Sequence, residues 1–180
     1  MSTVTMQPAK KRDAPITHTF ADDGVIPNNS LPFILYRGGI DLTGSPDPEA
    51  VIEKAFTANG WVGIWRNGIY PYVHYHAMIH EVMAVASGRA KARFGGEGGC
   101  TLDLARGDVV ILPAGTGHQR LSQSNDLVVI GAYPPSGKYN LCRGSKADYA
   151  KAIVAIPKVP VPTTDPVFGP KGPLMALWRA

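Results

Sequence analysis

The stretch GIYPYVHYHAMIHEVMAVASG, residues 68–88, decides how this chain is read. From Gly68 it runs as Gly-x5-His-x-His-x4-Glu-x6-Gly, through His74, His76 and Glu81 to Gly88. Alternate side chains of an extended strand share a face, so His74 and His76 point the same way and form a chelating pair. The pattern predicts a strand over Ile69 to His76, a short connection, and a second strand over Glu81 to Ser87. Glu81 then swings in beside the histidines where the two strands adjoin, and Ser87-Gly88 closes as a turn. A second run follows as Gly107-x5-Pro113-x-Gly115-x2-His118. Its loop Pro113-Ala114-Gly115-Thr116-Gly117 is restricted by one proline and two glycines, and it delivers His118 to the start of a later strand.

Three imidazoles and a carboxylate suit one divalent ion, Zn, Fe, Mn, Ni or Cu, and the lack of a Cys pair argues against a closed structural zinc site. Four protein ligands around an octahedral ion leave positions for water or substrate, as Lewis-acid or oxygen chemistry requires. His74, His76, Glu81 and His118 are therefore the candidate metal ligands. His80 neighbours Glu81 and faces the other side of a regular strand, where a hydrogen bond outside the pocket is its expected role. Strand parity turns Tyr70 and Tyr72 inward with the histidines, and Pro71, Val73 and Tyr75 outward. Met83 and Val85 turn in with Glu81, and Arg120 shares the face of His118. Arg120 is expected to pin a substrate carboxylate or phosphate in a bidentate pair. Tyr70 and Tyr72 are expected as pocket wall and as candidate acid–base groups.

The two runs resemble the paired motifs of the cupin superfamily, the second motif being Gly-x5-Pro-x-Gly-x2-His-x3-Asn. Ser122 stands where that family often has Asn, a departure that touches a structural hydrogen bond more than the ligands. Asp22-Asp23-Gly24 near the start and Asp165-Pro166 to Trp178 at the end extend the similarity to small bacterial single-domain cupins. The resemblance implies a mainly β fold, the cupin-type double-stranded β-helix or jelly-roll barrel, with a few flanking helices. Cupins include dioxygenases, decarboxylases, isomerases and epimerases, metal-free storage proteins and sensor domains, so the fold does not assign the reaction. It implies a metal-dependent enzyme acting on a small polar substrate by oxygenase, decarboxylase or isomerase chemistry, the substrate being acidic if Arg120 holds it. The alternative is a non-enzymatic small-ligand binding or sensor cupin that uses the same pocket without turnover.

With 180 residues, 44% of them apolar, and 20 Gly and 16 Pro, the chain has room for one packed domain of short strands and not for two barrels. The expected division is a flexible leader over 1–14, a single cupin domain over 15–145, and a C-terminal helix and extended strap over 146–180. Asp47-Pro48-Glu49 opens a helix with an N-cap and a first-turn proline, and Gly60 stops it. Strands are also expected at Thr17 to Phe20, Leu31 to Tyr36, Trp61 to Arg66, Ala90 to Phe94, Thr101 to Leu104, Asp108 to Leu112, His118 to Leu121 and Leu127 to Ala132. A net charge of +4 with scattered Lys and Arg shows no basic stripe for nucleic acid. No apolar run reaches the length of a membrane span and the start lacks a signal-peptide core, so a cytoplasmic protein with Cys100 and Cys142 as free thiols is expected. The strand from Glu81 to Ala86 is apolar on both faces and needs a cover. Either the tail anchors Met175, Leu177 and Trp178 or a second copy in a homodimer could supply it.

Overall fold

Turn chemistry cuts the chain into elements short enough to fold back on one another. The computed structural model describes residues 13–179, so the expected leader lies outside the described residues but for Asp13 and Ala14. The strands are β1 Ile16–His18, β2 Phe33–Tyr36, β3 Val62–Asn67, β4 Glu81–Ser87, β5 Arg89–Phe94, β6 Cys100–Ala105, β7 Val109–Leu112, β8 His118–Gln123 and β9 Val128–Tyr133. They form two antiparallel sheets, ordered β1-β2-β7-β4-β9-β3 and β6-β5-β8. This is the mainly β jelly roll of cupin type, flanked by helices α1 Pro48–Ala58, α2 Lys146–Ala155 and α3 Pro173–Leu177. The Asp47 carboxylate caps α1 by accepting from the Ala50 N–H at 3.0 Å.

One expected strand is absent. Ile69 to His76 is irregular, and only His74 and Tyr75 make β-bridges, to His118 and Cys142 respectively. Pro71 has no N–H to give to a ladder and biases Tyr70 before it, so pairing cannot run through the segment. The chain instead crosses from β3, at the edge of the large sheet, to β8, at the edge of the small one.

β4 is buried along almost its whole length because its two faces serve different layers. Met83 and Val85 pack between the sheets with Phe33, Phe94, Leu112 and Val129. Val82, Ala84 and Ala86 face outward onto Ile52 and Phe56 of α1 and onto Trp61, Leu174 and Trp178. The outer cover thus comes from the chain's own helix and tail, which removes the two-sided apolar strand as a reason for a second copy. The tail is pinned by Trp178 Nε1, which donates to the Pro32 carbonyl at 2.8 Å, and by Trp61 Nε1, which donates to the Thr164 carbonyl at 3.1 Å. Cys100 and Cys142 are free thiols. Among the described residues, no helix is long and apolar enough to cross a membrane.

Candidate metal centre

The loop before β8 is built to hold His118 against the His74–His76 segment. Gly115 sits at φ 90°, a left-handed conformation that favours glycine, and a Cβ there would lie 2.4 Å from the Asn28 carbonyl oxygen. Its N–H donates to the His76 carbonyl at 2.7 Å. His74 and His118 exchange both backbone hydrogen bonds, at 3.1 and 2.9 Å, which brings their ring centroids to 3.9 Å. Glu81, the first residue of β4, enters from the neighbouring sheet.

Each of the three rings has its Nδ1 set against a backbone carbonyl: His74 on Tyr72 at 3.1 Å, His76 on Asn140 at 2.6 Å, His118 on Thr116 at 3.0 Å. A carbonyl only accepts, so it assigns the proton to Nδ1 and leaves Nε2 as a free lone pair. One ligand atom from each ring lies within 4.8 Å of the other two, a spacing that could hold a metal ion. Glu81 Oε2 stands 3.3 Å from His76 Nε2 and 3.4 Å from His118 Nε2 and has no hydrogen bond of good geometry. All four side chains are buried. Three nitrogen lone pairs and an unsatisfied carboxylate oxygen, converging away from water, are a donor set that fits a divalent transition ion.

The electrostatics reflect that convergence. Burial, helped by His118, pushes His74 down to about 3, so this ring is neutral. Burial also pulls on His76, but the Glu81 carboxylate and the Asn140 carbonyl outweigh it and leave the pKa raised. Burial opposes ionisation of Glu81, yet His76 and His118 hold its carboxyl well below the usual range.

The site opens into a cavity of about 240 Å³ whose wall includes Trp65, Ile69, Tyr70, Met83, Tyr133 and Tyr139. Of the residues expected to act on substrate, only Tyr70 lines it; the Tyr70 ring stacks on Tyr72 with centroids 4.9 Å apart. Tyr72 stays outside the wall, its face covered by the Arg143 guanidinium at 3.5 Å. Arg120 also lies outside it, in the adjoining open cleft, where its guanidinium meets the Gln123 side chain. Its stem shares a face with His118, but it starts nearer the rim, and a long stem carries the charge out to where burial costs less. An Arg120 guanidinium beside the metal ligands is therefore corrected to one at the rim.

Sequence reasoning missed Trp65, Tyr133, Tyr139 and Asn140. Alternation along β9 offered a way to Tyr133, which follows Val129 and Gly131 on the inward face. Asn140 had no such clue. It binds the His76 ring through its carbonyl and takes the Ala77 and Met78 N–H groups on its side chain.

His80 lies on the opposite side of β4. Its Nδ1 accepts from the Ala114 N–H at 2.9 Å, and its ring packs 4.7 Å from Trp178. Nε2 makes no bond of good geometry, although the Pro160 carbonyl is near enough to favour its protonation slightly. Burial dominates and lowers this pKa from 6.5 to about 4. The folded state therefore resists protonating His80, so its contribution is complete above about pH 6.5 and is lost as pH falls from there toward 4. The loss expected between pH 7.5 and 4.5 is about 2–3 kcal/mol of unfolding free energy. Urea midpoints at the two pH values check this, since His80→Asn keeps an acceptor for Ala114 and should flatten the dependence.

No family model matches the chain. The Bacillus subtilis (strain 168) protein "Uncharacterized protein YjlB" is 36% identical over 163 residues, which cover 90% of this chain and 95% of that protein. The chain belongs to the YjlB family. Among solved structures, this YjlB relative is similar to acireductone dioxygenase from Bacillus anthracis with cadmium in its active centre, at 17% identity over 68% of this chain and 80% of that one, TM-score 0.38. It is also similar to Bacillus subtilis oxalate decarboxylase, at 18% identity over 66% of this chain and 28% of that one, TM-score 0.35. A third likeness is to a DMSP lyase, at 21% identity over 46% of this chain and 41% of that one, TM-score 0.34. The chain spans less than half the length of the last two, and the reactions of all three remain theirs. The cupin-type fold of this YjlB-family chain stands on its two sheets and on the two motif runs.

Proposed function

We propose that the protein is a mononuclear metal-dependent enzyme acting on a small polar substrate by oxygenase, decarboxylase or isomerase chemistry. His74, His76 and His118 would hold the ion through Nε2, with Glu81 as the fourth ligand. The observation that carries this reading is the set of three Nδ1–carbonyl contacts, which leave the three Nε2 lone pairs free, on rings whose ligand atoms lie within 4.8 Å of one another and two of which stand 3.3 and 3.4 Å from the Glu81 oxygen. A bound ion supplies a Lewis acid with open positions for substrate or water. The chain's own part is to hold the rings with backbone carbonyls, to keep water out with Trp65, Met83 and Tyr133, and to keep a phenol beside the carboxylate. Burial, followed by the nearby Glu81 charge, raises the Tyr133 pKa, so this hydroxyl keeps its proton and remains a donor. The free thiols fit a cytoplasmic setting.

Elemental analysis of protein purified without a histidine tag tests the reading. Iron, manganese, nickel or copper directs the next assay to oxygen uptake with small carboxylic acids; zinc directs it to isomerase and hydrolase substrates. Protein that takes up no metal even after reconstitution overturns the proposal, and ligand binding without turnover of any candidate favours the sensor alternative.

A further inference from the structure

Two side chains of the cavity wall keep a buried polar atom without a hydrogen bond of good geometry: Trp65 at Nε1, which can only donate, and Glu81 at Oε2, which can only accept. One hydroxyl lies within reach of both side chains. Tyr133 lines the same cavity. Its pKa is raised first by burial and then by the Glu81 carboxylate, through its charge and as a hydrogen-bond acceptor, while a contact from the Trp65 N–H works against the rise. Of the three groups, only the phenol can both accept and donate, so the chain has a single direction. The indole N–H gives to the phenol oxygen, and the phenol O–H gives to the carboxylate.

The fold makes a matched place for the two rings. In the β3–β9 register Val62 stands opposite Tyr133 and Trp65 opposite Gly131, so β3 has one more residue than β9 between the two pairs. That bulge brings Gly63, at φ 64°, beside the Tyr133 ring, where a Cβ would lie 3.1 Å from it. A Cβ at Gly131 would lie 2.0 Å from the Trp65 ring. Each strand thus drops its side chain where the other's aromatic ring passes. Tyr133 is also held edge-to-face against His76, with ring centroids 6.2 Å apart, and against Tyr139 at 5.7 Å.

Building on the metal-site reading, we infer that Tyr133 is a positioning residue for the metal ligand Glu81 and that Trp65 aims its hydroxyl. The relay commits the only phenol proton to Glu81, so Tyr133 holds the ligand and does not serve as an acid toward substrate. With the carboxylate's rotation fixed, Oε2 stays at 3.3 and 3.4 Å from His76 and His118 Nε2. Competition with a chromophoric chelator measures zinc affinity in variants that keep both aromatic faces. Tyr133→Phe should still bind one zinc, but at least about tenfold more weakly. In the cobalt(II)-loaded protein the same change should shift the visible absorption bands, which report the ligand set directly. Trp65→Phe should weaken zinc by a smaller factor, about three- to fivefold. Trp65→Phe/Tyr133→Phe should match Tyr133→Phe alone within about twofold, because Trp65 acts only through Tyr133. With Glu81→Ala already in place, Tyr133→Phe should change zinc affinity by less than about twofold. Unchanged affinity or unshifted bands in Tyr133→Phe, additive losses in the double variant, or a full Tyr133 effect without Glu81 would overturn this inference and leave the metal site standing. Failure of the unaltered chain to take up zinc would remove both.

Discussion

A divalent transition ion at about a thousand times its Kd is expected to raise the unfolding midpoint by about 8–16 °C, and His74→Ala/His118→Ala is expected to abolish that rise. Mass action at this excess stabilises the folded state by about 4.1 kcal/mol, and a domain of this size shifts by about 2–4 °C per kcal/mol. The effect should be large because the metal-free site is electrostatically unfinished. Glu81 Oε2 lies at 3.3 and 3.4 Å from two imidazole nitrogens whose protons are directed elsewhere. A proton on His76 can relieve this in part, which is why the pKa of His76 is raised. A divalent ion relieves it for all four groups together. Removing His74 and His118 leaves a nitrogen and an oxygen, too few ligands for tight binding. Glu81→Gln separates charge from shape, keeping three nitrogens and a neutral oxygen, and it should weaken metal binding by about 10–100-fold while the protein still folds. Differential scanning fluorimetry with and without chelator reads all three proteins. An equal midpoint rise in the double variant would mean that the ion binds elsewhere.

The motif spacing made the site legible because it is a statement about backbone geometry. His74 and His76 had to share a side, and the proline and two glycines of Pro113-Ala114-Gly115-Thr116-Gly117 marked the restricted loop that delivers His118. β4 was legible residue for residue, Glu81–Ser87, since alternation with two apolar faces has one natural reading in a layered fold. What escaped depended on distant contacts. Pro71 breaks the ladder of Ile69 to His76, so parity counted from His74 back to Tyr72 lost its basis and Tyr72 ended beneath Arg143. Trp65 reaches the cavity only because β3 is irregular near Gly63 and β9 has Gly131 opposite, features that strand periodicity does not reveal. α3, five residues long, has little helical stability of its own and is held by its neighbours.

Those neighbours converge on Asp165, and Asp165→Ala is expected to cost about 3–5 kcal/mol of folding stability, or about 6–20 °C in the unfolding midpoint. The side chain is fully buried and accepts four hydrogen bonds. Oδ1 takes the Val167 and Phe168 N–H groups at 2.9 and 3.0 Å. Oδ2 takes the Tyr36 hydroxyl at 2.5 Å and the Leu174 N–H at 3.1 Å. Truncation strands the Val167, Phe168 and Tyr36 donors and leaves the Leu174 N–H only its bond to the Tyr36 hydroxyl at 3.2 Å, in a space from which Gly172 excludes bulk, since a Cβ on Gly172 would fall 2.3 Å from the Asp165 side chain. Asp165→Asn is the sharper variant because it preserves volume. Its amide keeps one oxygen for two of the donors but turns an NH₂ toward the others, so it should recover less than half of the loss. Tyr36→Phe removes one donor to the carboxylate and one of the two acceptors of the Leu174 N–H, which keeps Asp165 Oδ2, so with three partners left to the carboxylate it should cost only about 1–2 kcal/mol. Tyr36 ties β2 of the large sheet to this turn, and Leu174 and Trp178 pack over the outer face of β4. Loosening Asp165 should therefore expose that face before it disturbs the histidines. Hydrogen exchange should show early loss of protection at Leu174 and Trp178 while metal content stays unchanged. Loss of metal at the same denaturant concentration would instead make the tail and the site one cooperative unit.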